Sequence, residues 1–244
     1  MLFNPLEQFD ITVVTILPFT NLAITNIAIT GLLNFFFVFL FLYYCQPSLK
    51  LNGLSFLILF LFNFVYSILK DSISLKKCSP ILLFFYLFLF IFVSNIFGMI
   101  PYSITITSHL ILTLYLSLSF FVGTNIIGAL YHKEKYFVLF LPEGIPLFII
   151  PGLILIEYIS YFSKIFSLAI RLFANMMSGH ILLKILIGFS WALFTNSILT
   201  FVLGVIPFII VFFVIGLEFA IAFLQAYVFT ILLIIYLNDV INTH

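Results

Sequence analysis

Apolar residues run through this chain in blocks too long for a soluble core, and short polar breaks divide it into predicted membrane elements. Residues 1–25 form an N-terminal segment, and Asn26 to Tyr44 is the first block, close to the ~20 residues that a ~30 Å hydrocarbon core asks of a helix. Gln46-Pro47-Ser48-Leu49-Lys50-Leu51-Asn52-Gly53 interrupts it. The next block, Leu54 to Leu69, is only 16 residues long and is followed by Lys70-Asp71 and Lys76-Lys77. That length predicts a short interfacial helix within 54–77 rather than a crossing. Ile81–Ile100 and Leu110–Leu130 read as a pair of spans within 81–130, joined by the uncharged turn Pro101-Tyr102-Ser103-Ile104-Thr105-Ile106-Thr107.

Charge bias supports keeping Leu54–Leu69 on one side. Lys50, Lys70, Lys76, Lys77, Lys133 and Lys135 then share a membrane face, as the positive-inside rule favours. The acidic N-terminus and the uncharged turn face the other way.

The pattern changes in the last hundred residues, 145–240. From Gly152 to Phe189 there is neither a proline nor a polar break, and one helix of that length would measure ~57 Å at ~1.5 Å per residue. Thr195–Tyr236 repeats the excess, with Pro207 as its one candidate kink. An upright span is excluded, so the two segments are predicted to form a hairpin of long, slanted helices. Such a slant exceeds the usual tilt range and implies a partner protein that holds it. The fold class expected is therefore an all-α polytopic membrane protein of one domain, with upright transmembrane helices, one short interfacial helix and this C-terminal hairpin.

Ionisable residues are scarce there and regularly placed. Glu157, Lys164 and Arg171 recur every seven residues, which returns a helix to nearly the same face. Asn175 extends that stripe by one turn, whereas His180, nine residues past Arg171, faces the opposite way. In the second helix Glu218 and Gln225 are also seven apart, and Asp239 lies near its end. An antiparallel hairpin would bring Arg171 near Gln225 and His180 near Glu218.

Each of these residues also has a plainer role open to it. Lys164 and Lys184 could snorkel to headgroups, His180 could be a satisfied buried imidazole, Gln225 could join helices, and Asp239 and His244 could be solvated chain ends. Arg171 is harder to explain away. It is the chain's only arginine, its charge is permanent, and at the centre of a membrane helix it costs at least ~2.5–3.5 kcal/mol. Its default reading is an ion or proton pathway.

Composition narrows the class. Of 244 residues 65% are hydrophobic and 7% charged, against about 25% charged in globular domains. A net charge of +1 gives no sign of nucleic-acid binding. Cys45 and Cys78 are too few for a disulfide framework or a metal knuckle. The start, Met1 to Asp10, is acidic, unlike a signal or transit peptide, and suits synthesis in the compartment of residence.

The run Arg171-Leu172-Phe173-Ala174-Asn175-Met176-Met177-Ser178-Gly179-His180 resembles the signature of subunit a of the F-type ATP synthases. So do Asn95-Ile96-Phe97-Gly98-Met99-Ile100-Pro101-Tyr102, the opening Asn4-Pro5-Leu6-Glu7-Gln8-Phe9 and the ending from Glu218 through Gln225 to Asp239. His180 with Glu218 resembles the mitochondrial form, which implies the mitochondrial inner membrane. The resemblance implies a hairpin set against a rotating ring of c-subunits, reached by two offset aqueous half-channels. His180, Glu218 and Asn175 would line the inlet from the intermembrane side, and Glu157, with Asp239, the outlet to the matrix. Gln225 would lie on the proton path, and Arg171 would separate the half-channels. Implied partners are the ring proteolipids, subunit b and other peripheral-stalk subunits, and a lipid such as cardiolipin. No cofactor or metal is expected, and the subunit itself makes no ATP.

Two other classes fit less well. A secondary transporter should show two related halves with broken helices, and the sequence has no internal repeat. A haem- or copper-bearing respiratory subunit needs paired intramembrane histidines, whereas His109, His132, His180 and His244 are scattered.

Overall fold

The computed structural model describes residues 9–16, 23–44, 53–72, 81–100, 105–133, 150–196 and 198–241. The readings placed on residues 4–8, Cys45, Lys50, Lys76, Lys77, Cys78, residues 101–104, Lys135, residues 145–149 and His244 lie outside the described residues.

A small antiparallel ribbon comes first, β1 (Val13–Ile16) against β2 (Ala23–Thr25), with Val13 opposite Thr25 and Ile16 opposite Ala23. Its β-branched run Val13-Val14-Thr15-Ile16 favours extended backbone. Sequence reading assigned no strand here. Asn26 ends the ribbon and starts α1 (Asn26–Tyr44). Its amide donates to the Asp10 carbonyl at 3.0 Å, its backbone N–H donates to the Thr12 carbonyl at 3.1 Å, and its side-chain oxygen accepts the Ile27 N–H at 2.9 Å.

The remaining helices are α2 (Gly53–Ser72), α3 (Ile81–Gly98), α4 (Leu110–His132), α5 (Ile150–Asn196) and α6 (Ile198–Ile241), with a 3-10 turn, Ile106–Ser108, between α3 and α4. Among the described residues, five of the six α-helices, α1 included and α2 excepted, are long and apolar enough to cross a membrane. The apolar part of α2 is Ser55–Lys70, short of a span as predicted. Its buried residues, Ile58, Leu61, Val65, Ile68 and Leu69, recur at helical spacing and form one inward stripe. Phe62 meets Phe85 of α3 edge-on at 5.2 Å, and Phe64 lies 5.8 Å from Phe223 of α6. Packing against two helices holds α2 in place.

The centre of the molecule is α3, of which 56% is buried against 17% for the apolar stretches of α5 and α6. Phe85, Leu87, Phe88, Leu89 and Ile91 are each at most 2% exposed. The hairpin therefore offers most of its surface outward. α5 has 47 residues, or ~70 Å, more than twice the ~30 Å hydrocarbon thickness. Pro151 sits in its first turn, where the missing N–H has no intrahelical partner to lose. Pro207 lies inside α6 near the hairpin's closed end. There a Cβ on Gly204 would come within 2.9 Å of the Phe194 ring and 3.2 Å of Leu193 Cβ, so the close approach of the two helices requires glycine.

Candidate functional site

The hairpin register follows from three contacts along its length. Gly204 meets Phe194 near the turn, Gly179 meets Glu218 midway, and Lys164 lies over the ring of Tyr236 at 5.1 Å towards the open end. Steps back along α5 are matched by similar steps forward along α6. This alignment places His180 and Glu218 at one level, as their spacing from Arg171 and Gln225 predicts.

At that level the two helices enclose a polar centre. His180 and Glu218 are both buried. A cavity of about 270 Å³ is lined by Asn175, Ser178, Gly179, His180, Glu218 and apolar neighbours including Leu217. The side chain of Glu218 rests on Gly179, where a Cβ would meet Oε1 at 2.7 Å and Cδ at 3.2 Å. Both Glu218 oxygens and His180 Nε2 are buried without a hydrogen-bond partner among the described residues. Buried polar atoms rarely stay unpaired, and these lie beside a cavity with room for several waters.

The wall behind His180 comes from the end of α3. A Cβ on Gly98 would lie 3.3 Å from His180 Nε2 and would overlap Thr105. Asn95, fully buried, accepts the Thr107 hydroxyl at 3.0 Å and donates to the Ala222 carbonyl at 3.4 Å, one turn beyond Glu218. Phe9 lies 6.5 Å from the His180 ring.

Arg171 occupies the other side of α5. It is exposed, while His180 is buried, as the nine-residue spacing requires. Small exposed residues, Ser160, Ser167, Ala174 and Ser178, lie near it on that face, flanked by the larger exposed side chains of Ile156, Leu182 and Ile185. Among the described residues the guanidinium makes no hydrogen bond or ion pair, and its charge is felt at Tyr236, which also feels Asp239. Lys164 lies between two rings, 5.1 Å from Tyr236 and 5.7 Å from Tyr161. The Tyr161 hydroxyl donates to the side-chain oxygen of Asn125 on α4. Glu157 is half-buried one turn earlier, and Asp239 is exposed near the end of α6.

Gln225 departs from the expected pairing. It lies within a turn of Arg171 in this register, but it is buried on the inward face with Ala222, Ala226 and Phe229. No hydrogen bond joins it to Arg171 among the described residues. Groups that sequence reading did not single out are Asn95, Gly98, Thr105, Gly179, Asn125, Tyr161 and Tyr236. Asn95, Gly98, Gly179 and Tyr236 lie within motifs quoted above and Thr105 within the quoted turn, but nothing in their spacing marks them. No cluster of three or more His, Cys, Asp or Glu side chains able to hold a metal occurs among the described residues.

A permanent charge on the open face of a slanted hairpin, with an acid and an imidazole buried across the same helix, defines an ion-translocating membrane subunit that works against a partner. The comparisons agree. The family model described as ATP synthase A chain matches residues 24–238. ATP synthase subunit a of Chondrus crispus is 44% identical over 250 residues, covering 99% of this chain and 97% of that one. The subunit a of Marchantia polymorpha is 42% identical over 254 residues, covering 100% of both. That of Rhodospirillum rubrum is 48% identical over 184 residues, 75% of this chain and 74% of its own. The chain belongs to the ATP synthase A chain family. It is the proton-translocating membrane stator of an F-type ATP synthase, a multi-pass protein of the mitochondrial inner membrane that works with the c-ring and other membrane-sector subunits.

Proposed function

We propose that His180, Glu218 and Asn175 line the inlet half-channel from the intermembrane side, and that Glu157 and Asp239 line the outlet to the matrix, with Arg171 between them. The observation that carries this reading is the opposed placement of the groups. The acid and imidazole meet at a buried cavity, while the only arginine stands on the exposed face. Gln225, buried at nearly the level of Arg171, supports the path as a neutral hydrogen-bonding group inside the hairpin.

The exposed face of α5 takes the ring. A carboxyl carried by the ring arrives protonated and meets Arg171, whose charge favours the ionised form. The proton leaves by the outlet. The carboxylate passes the arginine and is reprotonated from the inlet through Glu218 and His180. Guanidinium keeps its proton under all conditions, so it repels protons crossing directly and blocks a short circuit. Each proton gains ~2.3 kcal/mol per 100 mV, so several must be pooled for one ATP. Subunit b and other peripheral-stalk subunits are the remaining stator partners in this reading. The lysines gathered on one face, Lys70 and Lys133 among them, suit an anionic lipid such as cardiolipin.

Replacing Arg171 with Ala in the intact complex tests the mechanism by ATP-driven acidification of inner-membrane vesicles. Coupled transport is expected to disappear, with passive leak at most. Normal pumping by the variant would overturn the assignment.

A further inference from the structure

The turn between α3 and α4 brings one more polar group to the inlet. Thr105 opens the 3-10 turn, a position where a threonine hydroxyl ordinarily accepts a backbone N–H. It makes no such bond here. Its carbonyl holds the turn instead, accepting the Ser108 N–H at 3.3 Å and the Ser108 hydroxyl at 2.6 Å. The side chain is 2% exposed, and Oγ1 is buried without a partner among the described residues.

Gly98 explains where that side chain goes. A Cβ at this glycine would meet Thr105 Cγ2 at 1.8 Å and His180 Nε2 at 3.3 Å. Both atoms lie within those distances of a single point, so they are no more than 5.1 Å apart. The methyl is the group that faces His180 here; a turn about χ1 would put the hydroxyl in its place, within the reach of one bridging water from Nε2. The frame is firm: Asn95 ties the turn to α6 through Thr107 and the Ala222 carbonyl.

We propose that Thr105 is a further residue of the inlet, relaying protons through a bridging water to His180. The hydroxyl takes a proton from the outer side as it releases its own to the water, and the water passes one of its protons to Nε2. This deepens the inlet reading above and rests on it. Gly98 serves it as the notch that admits the threonine.

The test uses vesicles carrying the complete synthase with Thr105→Val, Thr105→Ser or Glu218→Gln, scored for subunit assembly and for ATP-driven proton flux. Valine keeps the shape and removes a buried hydroxyl that has no protein partner. It is expected to assemble normally and pump several-fold more slowly, while serine recovers most of the flux. If valine fails to assemble, Thr105→Ala removes the hydroxyl without filling the notch and takes its place. Wild-type flux without the hydroxyl, beside slowed flux in Glu218→Gln, would overturn the role of Thr105 and leave the inlet standing. Wild-type flux in both would remove the inlet reading itself. Equal slowing by valine and serine would overturn the relay by showing that shape matters and the hydroxyl does not, and failure of both valine and alanine to assemble would overturn it by making Thr105 structural.

Discussion

Gly179→Ala should slow proton transport without harming assembly. The new methyl would stand 2.7 Å from Glu218 Oε1, 3.2 Å from Cδ and 3.4 Å from Cγ. Ordinary contact begins near 3.4 Å, so Oε1 must retreat by about 0.7 Å, whereas Cγ can stay where it is. The atom displaced is the end of a rotatable side chain, so the carboxyl swings and the helices hold. Alanine in place of glycine also favours a helix interior by ~0.5–1 kcal/mol. Misplacing a reacting group by about 1 Å can cost ~100-fold in rate, so a shift of about 0.7 Å is expected to lower flux by roughly tenfold. The assay is ATP-driven acidification of inner-membrane vesicles, normalised to assembled complex on a native gel. Wild-type flux at full assembly would refute the placement of the Glu218 carboxyl on the proton path. Loss of the complex would refute the claim that the carboxyl, rather than the backbone, yields.

Two further outcomes follow from groups around the turn between α3 and α4. Asn95→Ala strands the buried Thr107 hydroxyl, a loss of about 1–3 kcal/mol. It should lower the thermal midpoint of the detergent-solubilised complex, and an unchanged midpoint would deny Asn95 its clamping role. His109 lies just before α4, and burial holds its imidazole below the ordinary 6.5. The unfolded chain then binds a proton more readily than the folded one, so this contribution to stability is complete above pH 6.5 and falls as pH drops from there towards the folded value. His109→Gln should flatten the loss of thermal stability between pH 7 and about 5. An identical decline in both proteins would assign it to other groups.

Helix number and length were legible because the bilayer imposes a length on every crossing, and α5 and α6 declared their slant by exceeding it. The hairpin level was legible too. The seven-residue repeats on each helix and the step from Arg171 to His180 align His180 with Glu218, and Gly179 indeed touches Glu218. The azimuth was not. Sequence spacing says which residues share a helix face, but the packing of α3 and α4 decides which face turns inward, and Gln225 turned in while Arg171 stayed out. The wall behind His180 was hidden for another reason. Asn95, Gly98 and Thr105 are uncharged and lie more than seventy residues from His180, so no periodicity connects them. The β1–β2 ribbon was missed because its β-branched run lies within a stretch read only for hydropathy.

The exposed face around Arg171 has a mechanical consequence. Ser160, Ser167, Ala174 and Ser178 form a low track beside the guanidinium, bounded by the larger exposed side chains of Ile156, Leu182 and Ile185. A close-packed contact between large side chains would lock by interdigitation, and every step would then have to break it. Along the low track a passing surface finds little to interlock with, and Arg171 is the fixed charge that it meets. In the mechanism proposed above that charge is the catch: it holds the ring carboxylate as it passes and lets go once the inlet has reprotonated it.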